Sequence, residues 1–393
     1  MTGGPFVLPA GILVQGANSQ YSGDGPEGNC QIILASQNQS IFFIGSSRYK
    51  ISIRDIGLTT DGVGALAGTK AIEAAGTSAV GNATQIEFHN LTIWGFDKGI
   101  SVEGDSGSDQ WDFTNVRVNQ CTIGECNYSI WLNSENCDFW KIVDSRIGAF
   151  PGGHGIHLRK VGIISFDGVL GAGNVPGMKG DTFIYMTAQH GTVTINGCEC
   201  EGFFKSIEVI GGPNLEANIT WPILVLNSTF GNPILLKSNC DYVSIANRYV
   251  PLTVKCVEAG TDVMIYSFGD IFAGNLDPVP LDNRDYDFQL IGNSRVVSRA
   301  NRFRLDFQQP ARFGGQAGMI APTPVDIALS IAPLNEGEAQ MALCDPAGDP
   351  LLKITADGRY IYFDHVPIGH RLMRLDLEGN LTVKGQFILD PDL

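Results

Sequence analysis

Charge is scarce in this sequence. Of its 393 residues 17% are Asp, Glu, Lys or Arg, and only 26 of those are basic against 41 acidic. A formal net charge of −15 with no run of Lys or Arg argues against nucleic acid or an anionic membrane as partner, since both need a cationic patch. A neutral glycan is indifferent to such a field, whereas an acidic one needs a local basic pocket. No run of about 18 apolar residues occurs, so no membrane span is expected. The first residues lack the basic stretch followed by an apolar one that marks a signal peptide. The nine Cys are odd in number and form no zinc-type double pair. Stretches rich in Ala, Leu, Glu and Lys are missing too, which leaves little to build helices from. What is abundant is Gly, 48 residues, with 19 Pro, and that composition favours turns and strands in an all-β chain.

One pattern recurs. Two alternating apolar residues precede a polar residue or Gly, and two more alternating apolar residues follow, as in Ile86, Phe88, Asn90, Leu91, Ile93. The same positions read Ile51, Ile53, Asp55, Ile56, Leu58; Val116, Val118, Gln120, Cys121, Ile123; Trp140, Ile142, Asp144, Ser145, Ile147; and Val193, Ile195, Gly197, Cys198, Cys200. Ile223, Val225, Asn227, Ser228, Phe230 and Val243, Ile245, Asn247, Arg248, Val250 extend the series, with a weaker copy at Ile164, Phe166, Gly168, Val169. Alternation sends every second side chain inward, and the break in register marks a tight corner between two strands. Asn, Asp and Gly tolerate the left-handed backbone such a corner needs, so the column Asp55, Asn90, Asp144, Gly168, Gly197, Asn227, Asn247 reads as structural. Cys121, Cys198 and Cys200 fall on inward positions and read as small buried hydrophobes.

A third strand follows in most coils: Gly99-Ile100-Ser101-Val102, Ser129-Ile130-Trp131-Leu132, Gly155-Ile156-His157-Leu158, Thr182 to Met186, and Ser206-Ile207-Glu208-Val209. A fixed period of one supersecondary unit is the signature of a solenoid. The fold expected is therefore a right-handed single-stranded parallel β-helix with three strands per coil over residues 1–290. A small β-rich segment over 301–393 follows, where runs beside Asp357-Gly358 and Glu378-Gly379-Asn380 read as hairpins that could drive oligomerisation.

Outward side chains at equivalent positions on successive coils stand about 4.8 Å apart and form continuous columns. On the third strand one column runs Ser101, Trp131, His157, Tyr185, Glu208, beside a second of Glu103, Asn133, Arg159, Thr187. Aromatic faces stack on pyranose rings, and Arg or Glu hydrogen-bonds hydroxyls or carboxylates. Trp131, Arg159, Tyr185, Glu103 and Lys160 are the candidate binding residues. Asp181 or Glu208, with His154 or His157 as partner, is the candidate acid–base set. Glu199 and Glu201 are a second carboxylate pair, expected to point outward about 7 Å apart, with a solvated strand face as the competing reading. A lyase would draw its base from Arg159 or Lys160. No metal or other cofactor is evident, although Ca²⁺ ligands scattered over coils would escape a motif search.

The opening Gly3-Gly4-Pro5-Phe6-Val7-Leu8-Pro9-Ala10-Gly11 resembles the first strand of pectate-lyase-like β-helix proteins, and the coil pattern to about residue 280 is similar to theirs. Within that superfamily, Gly153-His154-Gly155-Ile156 looks like the Gly-His-Gly motif of polygalacturonase-type glycoside hydrolases. Asp97-Lys98-Gly99 and Asn127-Tyr128-Ser129 supply one carboxylate where that family carries three. The resemblance implies a polysaccharide-active protein, hydrolase or lyase. The alternative is a phage-tailspike-like or surface adhesin that binds glycan without turnover, expected as a homotrimer. Either reading places the protein outside the cell or on a virion.

Overall fold

The computed structural model describes residues 4–272 apart from 18–19, 23–24, 28–29, 62–64, 77–80, 105–110, 173–178, 190, 211–221, 239, 251–254 and 262. Beyond them it describes the strands 286–290, 295–299, 305–307, 339–344, 350–356, 360–365, 370–376 and 381–383. Strands are the only regular elements among the described residues. Contacts divide the chain into two units, Met1–Phe313 and Gly314–Leu393.

The first unit is a parallel solenoid. Each coil contributes one strand to each of three ladders, shown by Arg48–Arg54, Gly57–Thr60 and Leu66–Ala75, which are followed one coil later by Gly81–His89, Thr92–Trp94 and Phe96–Glu103. Every described pairing between these coils is parallel, and like residues stack, for example Ile51 with Ile86 and Ile86 with Val116. Leu58, Ile93 and Ile123 stack in the same way on the second sheet, and Ile72, Ile100 and Ile130 on the third. Parallel crossovers take the right-handed sense, and the chain is a right-handed parallel β-helix. Coils continue through Tyr286–Leu290, Arg295–Arg299 and Leu305–Phe307, past the point where the sequence pattern fades.

Between the first and second strands of a coil the chain turns through one left-handed residue. Asp55, Asn90, Gln120, Asp144 and Asn227 have φ of 56°, 49°, 54°, 46° and 48°, and Gly168 and Gly197 occupy the same corner. Short polar side chains tolerate this conformation best and bond along the column, as Asn90 Nδ2 does to Asp55 Oδ1 at 2.8 Å. Just inside the corner runs a second ladder, which reaches the backbone of the preceding coil. Ser145 Oγ accepts from the Cys121 N–H at 3.1 Å and Ser228 Oγ from the Cys198 N–H at 3.0 Å. Asn247 Oδ1 accepts from the Ser228 N–H, and Asp270 Oδ1 from the Asn247 N–H, both at 2.8 Å. The thiols of Cys121 and Cys200 are buried among the stacked aliphatics, which pushes both up to about 12 and makes them inert.

One coil departs from the expected register. Val243 and Ile245 face outward, and the buried positions are Tyr242, Ser244, Asn247 and Tyr249. Ile223 pairs with Tyr242 and Val225 with Ser244, so the corner residue is Ala246, φ 54°, instead of Asn247. The interior here is polar and internally satisfied. The Tyr249 hydroxyl lies 3.0 Å from that of Tyr242 and 2.6 Å from Ser244 Oγ, Asn247 Nδ2 donates to Ser244 Oγ at 2.8 Å, and Ser267 Oγ donates to Asp270. Asp270→Ala would strand the buried Asn247 N–H and remove the carboxylate that the Ser267 hydroxyl donates to. It is expected to lower unfolding stability by about 2–3 kcal/mol, read from denaturant midpoints at unchanged slope.

The second unit contains an antiparallel meander of Ala339–Cys344, Pro350–Ala356, Tyr360–His365, His370–Asp376 and Leu381–Val383. The turns at 357–358 and 378–380 lie outside the described residues, and the strands on either side of each pair as hairpins.

Candidate functional site

The third sheet carries three outward rows. Parallel pairing aligns Lys70, Lys98, Tyr128, His154, Thr182 and Lys205 in the first, and Glu73, Ser101, Trp131, His157, Tyr185 and Glu208 in the second. The third row begins Ala75, Glu103, Asn133, Arg159 and then meets Ala188 where Thr187 was expected, because the register shifts between Leu158 and Arg159. Ile100, Ile130, Ile156, Ile184 and Ile207 fill the interior beneath and hold the rows in line. Next to the first row the chain passes through tightly packed buried positions, Gly99, Ser129, Gly155 and Ser206, with Phe183 in the remaining coil. A Cβ on Gly155 would lie 2.8 Å from the Phe183 carbonyl oxygen, and one on Gly153 would lie 2.5 Å from that of Asn127. Both glycines around His154 are thus required by coil stacking itself.

Five rings meet at the centre of the face. Tyr128 and Trp131 are edge to face at 4.7 Å, Trp131 and His157 are 4.2 Å apart, and His157 meets Tyr185 edge-on at 4.8 Å. His154 stacks on Tyr185 at 4.4 Å. Trp131, Tyr128, His154 and Tyr185 are half-buried, so the cluster presents ring surface outward, while His157 sits at its base with 7% exposure. Neither ring nitrogen of His157, nor Nδ1 of His154, has a hydrogen-bond partner among the described residues. Burial pushes His157 down to about 3, and neighbouring His154, Arg159 and Lys98 press the same way. His154 is lowered too by burial, against the opposing pull of Asp181 and Glu208. Both imidazoles are neutral at pH 7, each with one donor and one acceptor.

Ion pairs bracket the rings. At one end Lys98 lies 4.2 Å from the Trp131 ring centroid and bonds Glu103, which also accepts from Trp131 Nε1 at 3.1 Å and Ser101 Oγ at 3.1 Å. Burial raises the Glu103 carboxyl, but the bond and charge of Lys98 with the bonds from Asn133 and Trp131 together outweigh it, and the acid is held below its ordinary range. At the other end Lys205 Nζ donates to Asp181 at 3.2 Å and Glu208 at 2.8 Å, and Lys237 Nζ lies 2.6 Å from Glu208. Glu208 is opposed in the same way, by burial against the two lysines, and is likewise lowered. Asp181 Oδ2 also lies 3.8 Å from His154 Nδ1.

The structure brings Trp131, Tyr185, Glu103, His154, His157, Asp181 and Glu208 onto one face, with Arg159 exposed at its rim. The Lys160 side chain lies outside the described residues. Glu208 is only 3% exposed at its side chain, whereas Asp181 is 34% exposed and is the accessible carboxylate beside a ring. Because both accept from one ammonium, their bonded oxygens are at most about 6 Å apart, short of the roughly 6.5–9.5 Å of an inverting pair and close to the spacing of a retaining one. Asp97, the carboxylate of the polygalacturonase-like row, accepts from Asn127 Nδ2 at 2.8 Å and stands three coils, about 14 Å, from Asp181. Glu199 and Glu201 are exposed on the second sheet, but their carboxyls hydrogen-bond each other instead of standing apart. Partial burial and that contact raise Glu199.

Reading only every second residue missed the first row, Lys98, Tyr128 and Lys205. The signal was present as a polar or aromatic residue three positions before each second-row residue. Among the described residues no group of three or more His, Cys, Asp or Glu converges as a metal site.

Three parallel ladders with a ring-lined face on the third define a right-handed parallel β-helix protein with one compact surface platform. No family model and no curated protein matches the sequence. Among solved structures, a variant of the DFA-IIIase from Arthrobacter chlorophenolicus aligns at 12% identity and a TM-score of 0.45, covering 77% of this chain and 83% of that one. The gp42 tailspike of Acinetobacter phage vb_AbaP_AS12 aligns at 10% identity and 0.38, covering 100% and 75%. Tailspike protein 3 of bacteriophage CBA120 aligns at 10% and 0.34, covering 97% and 63%. None of these likenesses bears on the chemistry of the platform.

Proposed function

We propose that this chain is a polysaccharide-active protein, extracellular or virion-borne, that binds a glycan along the axis of the solenoid on its third sheet and hydrolyses it beside Asp181. The five-ring cluster carries this reading. Rungs stand about 4.8 Å apart, and Trp131 and Tyr185 lie two rungs, about 10 Å, apart with His157 between them, so the two rings present stacking faces to alternate sugars of a chain laid along the axis. The Lys98–Glu103 and Lys205–Asp181 pairs on either side of the rings supply polar partners for sugar hydroxyls, while the His157 nitrogens and His154 Nδ1 are buried beneath them. Asp181, accessible and next to His154, is the carboxyl placed to exchange a proton with a glycosidic oxygen, and Lys205 and Thr182 fix its orientation.

One observation favours a second reading, an adhesin without turnover, expected as a trimer. Glu103 and Glu208 are both held ionised by lysines, so neither supplies a proton near pH 7. Following reducing ends and unsaturated uronates together on a polysaccharide panel separates the two. Reducing ends alone support the hydrolase, and binding without either product supports the adhesin. Trp131→Ala is expected to weaken glycan binding about 10- to 100-fold by calorimetry, the value of a lost stacking face with its packed neighbours. Unchanged affinity in a folded variant would place the glycan elsewhere.

A further inference from the structure

Resting on the glycan-binding reading above, we infer that the platform takes an uncharged glycan, one whose polar contacts are hydroxyls and not carboxylates, sulfates or phosphates. The cations of the face are already matched. Lys70 Nζ lies 2.5 Å from Glu73, Lys98 bonds Glu103, Lys205 bridges Asp181 and Glu208, and Lys237 holds the other oxygen of Glu208. Arg159, exposed at the rim, is the remaining cation among the described residues of these rows.

An anionic sugar over Trp131 would therefore have to displace a carboxylate from a half-buried ammonium or lie against Glu103 or Asp181 with its own charge uncompensated. The two imidazoles add no positive charge at neutral pH, and the net charge of −15 repels a polyanion before contact. A hydroxyl meets none of these obstacles. Paired carboxylates keep free lone pairs that accept from hydroxyls, and paired ammonium groups keep free N–H donors. The Lys–Glu pairs thus act as fixed, charge-balanced hydrogen-bonding groups on either side of the rings. A neutral substrate also selects the cleavage chemistry. β-Elimination requires a carboxylate in the sugar to acidify the neighbouring C–H, so hydrolysis is the bond-breaking reaction left.

The test is calorimetry and affinity electrophoresis of the full chain at low and high salt. Neutral glucans, galactans and mannans form one set of probes, and polygalacturonate and dextran sulfate the other. A neutral polymer is expected to bind with affinity insensitive to salt and to be lost in Trp131→Ala, while the polyanions stay unbound. Glu103→Gln, which leaves Lys98 without its carboxylate, is expected to raise polygalacturonate affinity about tenfold in a salt-sensitive way. Salt-sensitive binding of a polyanion by the unaltered chain, lost in Trp131→Ala, would overturn the inference and leave the glycan-binding reading standing. A folded Glu103→Gln protein with no gained polyanion affinity would overturn the role given to charge pairing. Binding of neither class would overturn both readings.

Discussion

Asp181→Asn is expected to reduce hydrolytic turnover by about 10²- to 10⁴-fold, the usual contribution of a positioned acid–base group, with glycan affinity changed by no more than about threefold. Asn keeps the shape of the side chain and an oxygen that still accepts from Thr182 and Lys205, but it cannot carry the proton. Of the rings proposed to bind sugar, Tyr185 lies four residues along the same strand and Trp131 two coils away, and the substitution alters neither. Single-turnover rates on the polymer that the unaltered chain cleaves fastest, set beside calorimetric affinities, give both quantities. Equal loss of affinity and rate would mean that Asp181 anchors substrate and nothing more. Cleavage at the original rate would remove it from the mechanism and leave His154, its neighbour at 3.8 Å on the preceding coil, as the remaining candidate.

The solenoid was legible because its two signals are local and repeated. Ile86, Phe88, Leu91 and Ile93 mark a buried face by alternation, and Asn90, between them, marks the only place where the alternation can change phase. Such reading fails where both faces of a strand are apolar. From Pro222 onward the outward positions of the first sheet are Leu224, Leu226, Val243, Ile245, Tyr266 and Phe268, none of them buried, while Tyr242, Ser244 and Ser267 lie inside. Hydropathy alone then favours the wrong phase by one residue, and a one-residue slip exchanges the two faces completely. Only the hydroxyl network that makes Tyr242, Ser244 and Tyr249 acceptable interior residues resolves it, and through Asn247 and Asp270 that network reaches the next coil.

The site was legible as far as strand alternation reaches. Trp131, His157 and Tyr185 share a row because their inward neighbours Ile130, Ile156 and Ile184 stack, and this follows from the repeat. The displacement of Thr187 by Ala188 opposite Arg159 comes from a bulge, which leaves no compositional trace. Which charges pair was hidden as well. Lys98 lies five residues from Glu103, but Lys237 and Glu208 come from different coils and meet only because the coils stack. Solvent exposure then divides candidates that look equivalent in sequence. Asp181 is reachable, and Glu208, its neighbour across Lys205, is not.

His157 predicts a pH dependence of stability whose sign follows from its surroundings. In the unfolded chain it takes up a proton near 6.5, whereas in the folded chain the ring cluster holds it neutral down to about 3. Between these values the unfolded state binds more protons, so stability attributable to this residue is fully present above about pH 6.5, declines as pH falls, and is gone near pH 3. A shift of this size corresponds to a loss on the order of 5 kcal/mol across the window. Glu103 and Glu208, held ionised by lysines, lose stability in the same direction, but only below the ordinary glutamate range. His157→Phe keeps a ring among Trp131, Tyr128 and Tyr185 and removes the titration. Subtracting its pH–stability curve, measured by urea denaturation, from that of the unaltered chain should leave a slope confined to the interval between about 3 and 6.5. A flat difference across that interval would mean that the imidazole is solvated or protonated in the folded state. The neutral state assigned to it at the base of the platform would then fail with it.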